Sequence, residues 1–83
     1  MKITLKLYAS LGKFLPPKAE RNQIEIDVSE CSSVSEVLQT FNVPMESCHL
    51  VLVNGVFTPP VTSSNKHLNS GDVVAVWPPI AGG

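Results

Sequence analysis

One stretch of the chain carries a helical period. Val34, Val37, Leu38 and Phe41 fall at i, i+3, i+4 and i+7, which lines a single side of a helix with apolar groups. Ser33-Val34-Ser35-Glu36 ahead of the stripe reads as a capping box, with the Ser33 hydroxyl accepting from a free backbone N–H and Glu36 reaching back to the cap. Asn42 and Pro44 stop the helix. Two β-branched residues in the stripe lower its intrinsic propensity, so it depends on docking against another layer. The other patterned segments read as strands. One helix can cover only one face of the sheet they form, and this sets an α+β class.

Lys2–Tyr8 alternates, with Ile3, Leu5 and Leu7 on one side and Thr4, Lys6 and Tyr8 on the other. Gln23–Val28 alternates again, with Ile24, Ile26 and Val28 inward and Glu25 and Asp27 outward. Between them, Ala9–Arg21 reads as irregular because Gly12 and Pro16-Pro17 break any long helix, while Leu11, Phe14 and Leu15 can cover a core edge. Leu50–Val53 is continuously apolar. Asn54-Gly55 accepts two positive φ values and predicts a tight hairpin into a short return strand, Val56–Thr58, which Pro59-Pro60 stops. Thr62–Asn69 reads as polar loop, Gly71-Asp72 as a turn ordered by Asp72, and Val73–Trp77 as the last strand. Five strands and one main helix leave an apolar patch on the face away from the helix, and such patches bind partners. The positions expected at that interface are Trp77, Val51, Val53, Val74 and Val76.

Composition removes several function classes. At 83 residues the chain has room for one small domain and a thin core, not for a deep enclosed cleft. Six Lys plus Arg against seven Asp plus Glu give no surplus to neutralise phosphates, which argues against a nucleic-acid partner. No aliphatic run approaches the length of a bilayer span, and no secretory leader is legible, so a cytoplasmic, membrane-free protein is expected. Cys31 and Cys48 fit no CxxC or metal spacing and are expected to be ordinary reduced thiols. Cys48-His49 cannot act as a nucleophile–base pair on a strand, since neighbours point to opposite faces, and His49 and His67 lack a third metal ligand. No catalytic or metal site is expected, and no cofactor is expected to be bound by this chain.

The tail is less generic. Residues 1–77 form the expected domain, and Pro78-Pro79-Ile80-Ala81-Gly82-Gly83 follows the last strand as a flexible tail. Pro78 and Pro79 cannot extend the ladder and favour polyproline geometry, which carries the chain stiffly outward. Ile80 and Ala81 offer a modest apolar grip. Gly82 and Gly83 can thread a channel too narrow for other residues, because they lack Cβ atoms.

The stretch from Leu68 to Gly83, with Val53-Asn54-Gly55 and Leu7-Tyr8-Ala9-Ser10-Leu11, closely resembles the MoaD/ThiS-type sulfur-carrier family. Trp77-Pro78-Pro79-Ile80 and the length are closest to the small subunit of molybdopterin synthase. Family members often carry Arg where Gly12 stands here. The resemblance implies a ubiquitin-like β-grasp, a mixed sheet with its first and last strands parallel at the centre. It also implies that an adenylating enzyme of MoeB/ThiF type uses ATP to activate Gly83, that sulfur then replaces AMP to give a C-terminal thiocarboxylate, and that the tail delivers this sulfur into the molybdopterin synthase large subunit. The chain has no Gly-x4-Gly-Lys-Ser/Thr, so nucleotide chemistry falls to the partner. The readings left beside this one are a thiamine-pathway or other sulfur carrier, a ubiquitin-like modifier conjugated through Gly83, and a plain interaction module.

Overall fold

A computed structural model describes residues 1–59 and 67–79. Its strands are β1 (Lys2–Leu7), β2 (Gln23–Asp27), β3 (Leu50–Val53), β4 (Val56–Phe57) and β5 (Val73–Trp77), with one helix, α1 (Val34–Thr40). The sheet runs β2-β1-β5-β3-β4. β1 and β5 lie parallel at its centre, and the remaining pairs are antiparallel. This is the ubiquitin-like β-grasp.

The local signals fold as their chemistry dictates. The Ser33 hydroxyl accepts from Glu36 N–H at 3.2 Å, and the Ser33 N–H donates to Glu36 Oε1 at 2.9 Å. The Ser33 backbone N–H, with the Ser33 hydroxyl second, holds the Glu36 carboxyl below the usual carboxylate range. At the other end Asn42 takes φ +61°, its N–H donates to Gln39 O, and Val43 N–H donates to Leu38 O. That pair of bonds satisfies carbonyls the last turn leaves open, and Val43 buries beside Leu38 in the core. Asn54 and Gly55 sit at φ +53° and +82°, as the two-residue hairpin requires.

Two short segments outside the strands and α1 are ordered, the first within the stretch expected to be irregular. Ala9–Phe14 and Met45–Ser47 close into 3-10 turns, the first burying Leu11. Gly12 lies at a tight approach there: a Cβ would come within 3.0 Å of Asn22 Nδ2, the atom that donates to the Leu7 carbonyl at the end of β1. A larger residue at position 12 would press on that bond.

The core lies between α1 and one face of the sheet. Val34, Val37 and Leu38 share it with Ile3, Leu5, Leu7, Ile24, Val51, Val53, Val74 and Val76. The last four correct the expected interface, because all are buried on the helix side. Register explains why. Leu5 pairs with Val74 and Leu7 with Val76, then Val76 with Val51 and Val74 with Val53. The inward side of β1 therefore fixes the inward side of its neighbours, and the even-numbered residues of β5 must join Leu5 and Leu7.

Candidate docking face and tail exit

The face away from α1 is built by the opposite parity. Reading across it, Gln23, Lys6, Ala75, Leu52 and Phe57 stand in one row, and Glu25, Thr4 and Val73 in the next. Leu50 pairs with Trp77, and the Trp77 indole stacks on the Tyr8 ring with centroids 4.5 Å apart and planes 13° from parallel. Such offset aromatic pairs are worth about 1 kcal/mol beyond their area. Leu50, Leu52, Val73 and Trp77 are half-buried, while Phe57 on the short edge strand is 56% exposed. The apolar patch exists as the sequence leads one to expect, but its members are Leu50, Leu52, Phe57, Val73, Ala75 and Trp77. Of the expected interface residues only Trp77 lies on it.

The signal that could have found the others is the clean alternation of β1. Thr4, Lys6 and Tyr8 point outward in the sequence, and any β5 residue paired with them must do the same.

Polarity changes across the face. On the β2 side Lys2 Nζ lies 3.9 Å from Glu25 Oε1 and 3.8 Å from Asp27 Oδ2, all three groups well exposed. Pairs in that setting contribute little to stability. On the β4 side the surface is aliphatic and aromatic.

The far end of the patch opens into a groove of about 440 Å³ lined by Ala9, Ser10, His49, Leu50 and Trp77-Pro78-Pro79. β5 ends at Trp77; Pro78 is half-buried and Pro79 exposed. The expected tail residues Ile80, Ala81, Gly82 and Gly83 lie outside the described residues, as does most of the expected 62–69 loop. At the other end of the patch Asp72 ties the entry to β5. Its Oδ1 accepts from Asn54 Nδ2 at 2.9 Å and its Oδ2 from Asn69 N–H at 2.8 Å, while Asn54 Oδ1 accepts from Val73 N–H at 2.9 Å. The tight turn after β3 and the start of β5 are thereby locked together, which bears out the role expected of Asp72.

Cys48 and His49 lie just ahead of β3 rather than on a strand, the first buried and the second exposed. The Cys48 thiol donates to Pro44 O at 3.4 Å; burial pushes its pKa up and the nearby Glu46 charge adds to this. Both cysteines are free. Among the described residues no cluster of His, Cys, Asp and Glu could hold a metal ion, and no helix is long and apolar enough to cross a membrane.

Several solved structures share this architecture. The HVO 2177 protein of Haloferax volcanii superposes with a TM-score of 0.78 at 24% identity, covering 100% of this chain and 87% of that one. SAMP1 of Haloferax volcanii does so with 0.69 at 24%, covering 100% of both chains. The complex of subunits 1 and 2 of molybdopterin-converting factor from Helicobacter pylori 26695 gives 0.59 at 21%, again covering 100% of both chains. At these identities the likeness is one of fold. No curated protein matches the sequence. The family model described as Mut7-C ubiquitin, however, matches residues 1–81, and with nearly the whole chain inside that match, the chain belongs to the Mut7-C ubiquitin family.

Proposed function

We propose that this chain is a sulfur-carrier protein for molybdopterin synthesis. Residues 1–77 serve as the docking body and residues 78–83 as the delivery arm. The observation that carries this reading is an apolar sheet face ending at the Tyr8–Trp77 stack, from which Pro78 and Pro79 leave toward a terminus without side chains. A carboxylate is a poor electrophile, because its two oxygens share the negative charge. A partner enzyme of MoeB/ThiF type therefore couples the free Gly83 carboxylate to ATP, releasing pyrophosphate and leaving an acyl-adenylate. Sulfide then displaces AMP to give the thiocarboxylate. The chain itself supplies no catalytic group to these steps; it binds the partner and presents the carbon. Holding the tail on a docked body raises its local concentration at the partner's active site without new contacts. The Helicobacter pylori likeness is to a complex of two subunits, which supports a large-subunit partner receiving the sulfur. The family match to ubiquitin-like chains supports the carrier class.

The test is intact-mass analysis of the full chain purified from cells that contain its adenylating enzyme. The expected species carries one sulfur in place of one oxygen at Gly83, and deleting Gly83 or adding one bulky residue after it abolishes that species. Wild-type protein that never acquires the sulfur under these conditions would overturn the proposal.

A further inference from the structure

The open face carries a cation, Lys6, whose charge no other group answers among the described residues. Lys2 is neutralised by Glu25 and Asp27. Lys6, two positions further along the same side of β1, forms no ion pair among the described residues, and its cross-strand neighbours Gln23 and Ala75 are both neutral. Its flanking residues on this side are Thr4 and Tyr8. The row it belongs to continues through Ala75 and Leu52 to Phe57, so the half-buried Lys6 sits where the polar half of the face meets the apolar half.

A partner that covers the apolar half takes water from this ammonium. An ammonium that loses water without gaining an anion is costly, so the covering surface must either avoid Lys6 or bring a negative group to it. A second copy of the chain is poorly suited to do so. Stacking the whole face on itself about an axis across the strands sets β1 on β1, whose outward residues Lys2, Thr4, Lys6 and Tyr8 offer Lys6 no anion. About an axis along the strands, β1 falls on β3 and Lys6 lies over Leu52, again with no carboxylate against it.

We propose that the open face docks a different protein whose apolar patch carries an aspartate or glutamate placed against the Lys6 ammonium. This rests on the carrier reading above and names the chemistry of the surface it docks.

The full chain titrated calorimetrically against its own adenylating enzyme, at low and high salt, tests both. Lys6→Met keeps the aliphatic stem and loses the charge; it is expected to bind about tenfold more weakly, with a flatter salt dependence than wild type. Lys6→Glu is expected to lose about a hundredfold. Lys6→Arg should bind within about twofold of wild type, and Lys2→Met, which removes a charge already paired, should change nothing. Urea unfolding midpoints of all four confirm that the fold is kept. Wild-type binding that Lys6→Met leaves unchanged, in affinity and salt slope, overturns the Lys6 proposal and spares the carrier reading. Failure of wild type to bind the enzyme overturns both. A chain that instead dimerises through this face, reverting to monomer on Phe57→Ser, overturns the choice of a heterologous partner.

Discussion

The two faces of one sheet make opposite use of the same residue types. On the helix side Leu5, Leu7, Val74 and Val76 are sealed from water and their energy is spent on folding. On the other side Leu50, Leu52, Phe57 and Trp77 are equally apolar, yet they remain open and are bordered by charges on β2. Hydrophobicity alone therefore does not separate core from open surface in a domain this thin. What separates them is whether the molecule has a second layer to spend, and α1 is enough for one face only.

That contrast can be broken by substitution, starting where the effect should be greatest. Leu5→Ala empties a sealed site at the centre of the sheet and is expected to cost about 2–5 kcal/mol in urea unfolding. A cost below about 1 kcal/mol would mean the helix-side layer is less tightly packed than its burial shows. Asp72→Ala removes the acceptor shared by Asn54 Nδ2 and Asn69 N–H, with an expected loss of about 1–3 kcal/mol. It should also loosen the β3–β4 turn, read as faster amide exchange at Asn69 and Val73.

Ser33→Ala deletes the helix cap and should cost about 1 kcal/mol. Its reciprocal partner sharpens the point through pH. Glu36 titrates lower in the folded chain than in the unfolded one, so the stability it adds is complete above the unfolded carboxylate's range and is lost as pH falls through the lowered folded value. The advantage of wild type over Glu36→Gln should thus be present at neutral pH and disappear in acid. Least of all, Phe57→Ser on the open face should move stability by no more than about 0.5 kcal/mol. The same change should visibly weaken partner binding, which is the clearest separation of the two faces.

Much of the fold was legible because its signals are local. The capping box, the Asn42 stop, the Asn54-Gly55 hairpin and the alternation of β1 and β2 each depend on residues within a few positions of one another, and the structure bears out each of them. The 3-10 turn over Ala9–Phe14 was not legible. Its short span has no amphipathic period, and it is fixed by Leu11 reaching the core and by Asn22 reaching back to Leu7. The open apolar face was half legible: that a patch must exist follows from counting elements, but its membership was assigned to the wrong parity.

The sequence by itself determined the five strands and the main helix, their order, the helix cap and the tight hairpin, since these follow from local periodicity, capping and the special φ of glycine and asparagine. Only the tertiary structure decided which side of β3 and β5 meets the helix. Those strands hold no polar residue to mark an outside, so their orientation is inherited through hydrogen-bond register from β1, a partner distant in sequence that pairs with β5 in parallel at the centre of the sheet.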